Sequence, residues 1–182
     1  MANILFIVGS FRKGSFNGQV AKLAEGFIGD RATVSYLDYS DVPFINQDEE
    51  FPAPAAVARL RQTVADADAV WVFTPEYNYS YPGVLKNAID WLSRPVDPAN
   101  WTAPTVLAGK LFTASAAGGK LGGSKSLEKL NELLNLLGAK VADVPQTAIA
   151  LNSEAWTEDK MILTDEQKQE VKAQAEALLK TL

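Results

Sequence analysis

The sequence predicts an α/β fold: five parallel strands in the order 2-1-3-4-5 with helices on both faces, a three-layer sandwich formed by residues 1–182 as one domain. Two observations carry this expectation. Strand-like and helix-like segments alternate five times with short connections, the order that right-handed crossovers produce. The strand-like runs, NILFIV and AVWVFT foremost, are continuously apolar rather than alternating, as strands covered on both faces are. Five strands rather than six favour the 2-1-3-4-5 order, in which ligands sit at the carboxyl ends of the strands beside the switch between strands 1 and 3.

Each element follows from its own pattern. Asn3–Val8 is the first strand, closed by Gly9 and Ser10. Phe16–Ile28 is a helix with Val20, Leu23, Ala24 and Phe27 at helical spacing. Ala32–Asp38 reads as the second strand and Pro54–Ala65 as the second helix, with Val57, Leu60 and Val64 on its apolar face. Ala69–Thr74 is the third strand. Pro82–Ser93 is the third helix, with Pro82 in its first turn, where a missing N–H leaves no helical bond unmade. Lys110–Ala116 is the fourth strand, and Ser124–Leu137 the fourth helix, stopped by Gly138. Lys140–Val144 and Thr147–Leu151 form a fifth strand interrupted by Pro145. Thr164 and Gln167 fit a capping box that opens a closing helix to Leu182.

Composition narrows the chemistry. The 182 residues are 47% hydrophobic and 21% charged, enough apolar material for a core without crosslinks. A net charge of −5 argues against a nucleic-acid binder, which needs a basic face. The chain has no Cys and no His, so thiolate nucleophiles, Cys- or His-ligated metals and imidazole acid–base catalysis are excluded. The opening MANILFIVGS has no basic leader and too short an apolar run for a membrane span, which leads us to expect a cytoplasmic protein with no membrane partner.

Three strand-end loops hold the residues suited to binding. The first, Gly9–Asn17, lacks the glycine patterns of dinucleotide and triphosphate loops. It offers Ser10, Arg12, Lys13, Ser15 and Asn17 beside a helix N-terminus, where free N–H groups and the helix dipole favour a phosphate monoester. Ser15 by itself reads first as a helix cap. The second loop, inside PEYNYSYPGVLKNAIDW (Pro75–Trp91), crowds tyrosines and polar groups at a ligand-binding edge, which suits a flat conjugated ring. Glu76 there reads equally as a structural carboxylate. The third, Ser115–Ser126, holds four glycines that let backbone approach such a ring. A phosphate at one end and a flat ring at the other describe a mononucleotide, and with no His or Cys available a flavin brings its own chemistry.

On these motifs the chain resembles the NAD(P)H-dependent FMN reductase family, flavodoxin-like flavoproteins that include quinone, azo-dye and chromate reductases. The resemblance lies in Gly9-Ser10-x-Arg12-x-x-Ser15-x-Asn17, in Pro75–Trp91, in Ser115–Gly123 and in Asp41–Asp48, and covers most of residues 3 to 140. It implies that Ser10, Arg12, Ser15, Phe16 and Asn17 hold the FMN phosphate. It further implies that Pro75, Glu76, Tyr77 and Asn78 line the ribityl chain and ring, with Ser115 and Gly118 on the other side. Hydride would pass from NADH or NADPH to the flavin and on to a small-molecule acceptor: a quinone, an azo compound, free flavin or a metal oxyanion. No side chain is assigned as acid or base and no metal is expected. The resemblance also implies a homodimer or a dimer of dimers, with Phe44, Trp91 and Trp101 as interface candidates, Trp91 reading first as buried core, and Tyr79 and Tyr81 facing substrate or the second subunit. Many relatives carry Arg where this chain has Lys125, and Lys lacks the planar fork. The competing readings are a flavodoxin-type electron carrier without NAD(P)H oxidation of its own, and a phosphotransferase or nucleotide-binding regulator.

Overall fold

A computed structural model describes residues 1–182. The sheet is parallel throughout, built from β1 (Asn3–Val8), β2 (Thr33–Tyr36), β3 (Ala69–Thr74), β4 (Leu111–Gly118), β5 (Lys140–Val141) and β6 (Ala148–Ala150). Its order is β2-β1-β3-β4-β5, and β6 pairs with β4 further along the same edge. The expected order is thus observed, with the fifth position shared by two short strands. β5 meets the start of β4 at Leu111 and Phe112, and β6 meets its end at Ala116–Gly118. Pro145 lies between them and has no N–H to continue the ladder.

The helices are α1 (Phe16–Ile28), α2 (Ala55–Ala65), α3 (Gly83–Leu92), α4 (Ser124–Leu136), α5 (Ser153–Glu158) and α6 (Asp165–Thr181). Alternate residues of each strand point to opposite faces, so the core divides in two. Leu5, Ile7, Val70, Val72 and Phe112 pack under α2, α3 and α4. Ile4, Phe6, Trp71, Phe73 and Ile149 pack under α1 and α6. Trp71 and Trp91, the two largest fully buried side chains, lie one in each half. Trp91 is therefore core rather than an interface residue, and its indole N–H donates to the Pro43 carbonyl at 2.8 Å.

Four local differences from the sequence reading have physical causes. β2 stops at Tyr36, where its ladder with β1 ends, instead of reaching Asp38. Pro82 caps α3 with an extended ψ of 151° instead of entering its first turn. β4 runs two residues past Ala116 because β6 supplies it with a partner there. The short helix α5 was not foreseen at all; Asn152 caps it, its side-chain oxygen accepting from the Ala155 N–H at 2.8 Å. The capping box of α6 forms as read, Thr164 and Gln167 exchanging bonds. No helix is long and apolar enough to cross a membrane.

Candidate functional site

The carboxyl ends of β1, β3 and β4 deliver the three loops to one place. Gly9 prolongs β1, its N–H donating to the Phe73 carbonyl at 2.8 Å. The buried phenol of Tyr39 donates to the Val8 carbonyl at 2.8 Å, which fixes the strand end from below. Burial pushes that phenol well above its ordinary pKa, so it remains a donor. From there the chain turns into α1, whose first free amides face a cavity of about 270 Å³ at the top of the sheet.

Ser15 is the N-cap of α1, its hydroxyl oxygen accepting from the Gly18 N–H at 3.2 Å. That satisfies one orphan donor of the first turn. The N–H groups of Phe16 and Asn17 take no acceptor from the chain and lie on the cavity wall. Asn17 itself is buried, and its side-chain amide exchanges two bonds with the Ala117 backbone, 3.0 and 2.9 Å long. Its side chain therefore stitches α1 to β4, and only its backbone N–H remains for a ligand. Arg12 lies over the Phe16 ring, 4.8 Å from the centroid.

The second loop is held from two sides. A Glu76 carboxylate oxygen accepts the Lys125 and Ser126 N–H groups at 2.9 and 3.1 Å. These are first-turn donors of α4, whose N-cap position is Gly123 and has no side chain to offer them. Glu76 is thus a cap supplied from another loop, the structural role that the sequence left open. Beyond it, Tyr77 and Ser80 exchange backbone bonds of 2.8 and 3.1 Å around Asn78 and Tyr79, which have φ of 53° and 60°. Two successive positive φ values define a type I′ turn, in which Tyr is a costly occupant.

The third loop comes close enough because it has glycines. A Cβ on Gly123, at φ 88°, would lie 2.5 Å from Ala116 Cβ, and one on Gly122, at φ 62°, would lie 2.7 Å from the Ala148 backbone. Lys125 turns away and pairs with Glu128 at 2.7 Å, a hydrogen bond that raises the lysine's pKa. It does not reach the cavity.

Of the residues singled out from sequence, Ser10, Arg12, Ser15, Phe16 and Asn17 line the cavity on one side. Pro75, Glu76, Tyr77 and Gly118 line it on the other. Asn78 faces an adjoining depression together with Tyr79 and Gly119. Ser115 is a correction. It is fully buried, accepting from the Trp71 indole N–H at 2.9 Å and donating to the Gln174 amide oxygen at 2.8 Å. Because β4 extends to Gly118, Ser115 sits inside the strand on the α6 face rather than at its mouth. Ala117, Gly119, Leu151 and Trp156 also line the cavity and were missed. The Asn152 cap was the available sign of α5 and hence of Trp156.

The donors fit FMN. At the α1 end, two free amides, two serines and a guanidinium suit a phosphate. At the other end, the Glu76 and Gly119 N–H groups have no acceptor in the chain, and Pro75, Tyr77, Ala117 and Gly118 give a largely apolar wall. Unpaired amides above an apolar surface suit a ring rich in carbonyl and imine acceptors.

Comparison with known proteins agrees with this fit. A family model described as NADPH-dependent FMN reductase matches residues 2–154. The NAD(P)H-dependent FMN reductase of Pseudomonas aeruginosa is 33% identical over 176 residues, covering 96% of this chain and 92% of that one. The quinone reductase of Escherichia coli K12 is 39% identical over 147 residues, 79% of this chain and 74% of its own. Among solved structures, the flavoenzyme NAD(P)H:(acceptor) oxidoreductase FerB of Paracoccus denitrificans superposes with a TM-score of 0.82 at 30% identity, covering 99% and 96% of the two chains. The fold is flavodoxin-like, and the chain belongs to the NADPH-dependent FMN reductase family as an FMN-dependent NAD(P)H oxidoreductase.

Proposed function

We propose that this chain reduces a quinone-class acceptor with electrons from NAD(P)H, using FMN held between the three loops. The observation that carries the cofactor's placement is the pairing of unpartnered amides at Phe16 and Asn17 with an aromatic-walled cavity. Quinone is favoured over other acceptors by the Escherichia coli relative named for it. FMN, when bound, supplies the hydride-accepting and hydride-donating chemistry.

The chain's own contribution is position and electrostatics. The N–H groups of Phe16 and Asn17, with Ser10, Arg12 and Ser15, would hold the phosphate. Pro75, Glu76, Tyr77 and Gly118 would line the ribityl chain and ring, and Asn78 borders the ring end. The backbone N–H groups of Glu76 and Gly119 would offer fixed dipoles to the ring end of the site, where charge grows on reduction. Ser115 acts only from behind, through Trp71 and Gln174.

A second cavity, walled by Phe11, Phe44, Pro82 and Val84 together with Ser10, Arg12 and Tyr77, shares those last three residues with the first and is mostly apolar. It is the place we assign to the acceptor. Phe44 and Trp101 are 82% and 58% exposed, consistent with burial in a homodimer or dimer of dimers. We place the protein in the cytoplasm and treat residues 1–182 as one domain.

Steady-state oxidation of NADH and NADPH by purified protein, with and without a benzoquinone, tests this reading. The expected result is quinone-dependent turnover without any added reductase. A protein that takes electrons only from a separate reductase is an electron carrier and contradicts it.

A further inference from the structure

The segment after β6 is docked on the first loop by contacts that the proposed function does not use. Asp159, at φ 52° just past α5, forms an ion pair with Arg12 Nη1. Gly14 makes room for it, since a Cβ there would run into the Asp159 carboxylate. Gln19 of α1 ties the two segments: its amide donates to the carbonyls of Gly14 and Asp159 at 3.3 and 3.4 Å and accepts the Met161 N–H at 2.8 Å. Trp156 packs edge-on against Phe16, with centroids 5.2 Å apart.

The charge balance around the cavity is unusual for a phosphate site. Arg12 is the one cation on its wall, and Glu76 also lines it. With Asp159 on the guanidinium, one positive charge faces two carboxylates, and a dianionic phosphate gains little from simple attraction. The amides and the helix dipole must do most of the holding.

We propose that Asp159 sets the affinity for phosphorylated flavin: by sharing Arg12 with the phosphate it keeps FMN exchangeable instead of permanently bound. The inference rests on the flavin reading above. Asp159 is outside the cavity wall, so it acts on the phosphate through Arg12 and leaves the ring contacts alone. Arg12 and Asp159 are both about half-exposed, which makes the effect sensitive to salt.

The test is the dissociation constant of FMN and of riboflavin, measured by quenching of flavin fluorescence in the wild type and in Asp159→Asn, at low and high salt. Asn tolerates the positive φ, so the turn is kept. The FMN-to-riboflavin affinity ratio is independent of the fraction of folded protein. One unit charge near a dianion at a solvated rim corresponds to about three- to tenfold in affinity at low salt. The expected result is a rise of that size in the ratio, lost at high salt and lost when Arg12→Gln is combined with Asp159→Asn. An unchanged or lowered ratio overturns the proposal, as does a rise that persists in full without Arg12. If the wild type binds neither flavin, the flavin reading itself fails, and the proposal with it.

Discussion

Replacing Ser115 by Ala separates two roles for the third loop. The hydroxyl accepts from the buried Trp71 indole at 2.9 Å and donates to Gln174 at 2.8 Å. Gln174 keeps its other partners, its amide oxygen accepting from the Thr147 N–H and hydroxyl at 2.9 and 2.8 Å. The Trp71 N–H has no other acceptor and no access to water. Leaving one buried donor unsatisfied costs about 1–3 kcal/mol. For a chain of this size that corresponds to a fall in Tm of roughly 3–10 °C. The flavin dissociation constant is expected to stay within about twofold, because Ser115 is absent from the cavity wall. Thermal unfolding followed by circular dichroism and flavin fluorescence titration give the two numbers. A variant with unaltered Tm and much weaker flavin binding would refute the buried-strut role and restore Ser115 to the cofactor.

Other substitutions probe the loops that hold the cavity. Glu76→Ala removes the cap of α4 and is expected to lower stability by about 1–2 kcal/mol and weaken flavin binding with it, read by chemical denaturation and titration. Gly123→Ala forces a Cβ into Ala116 at a left-handed backbone position and is expected to cost more than about 2 kcal/mol, with loss of flavin retention on purification. Tyr79→Gly relieves a tyrosine held at φ 60° and is expected to raise stability by about 0.5–1 kcal/mol, measured as the shift in urea midpoint.

The sheet order and the three loops were legible because they depend on local pattern: continuous apolar runs, helical spacing and glycine punctuation. The Thr164–Gln167 capping box and the Gly138 stop formed where those residues stand. What was hidden depends on pairing between distant segments. Ser115 was misplaced by two residues of strand, and those two residues exist only because β6 returns alongside β4. Asn17 reads as a ligand donor until Ala117, a hundred residues away, takes its amide. Glu76 reads from sequence as a structural carboxylate no more than as a cofactor-lining one, and only the position of α4 makes it a cap. Trp156 lies on a helix too short for periodicity to reveal, and Asp159 immediately follows it.

The most direct measurement is anaerobic visible spectroscopy of the protein reconstituted with FMN. On addition of NADPH or NADH the oxidised flavin band is expected to bleach, and stoichiometric benzoquinone to restore it, neither change occurring at that rate with free FMN. A band that stays oxidised with both nicotinamides, or that bleaches no faster than free FMN, contradicts NAD(P)H oxidation at this site.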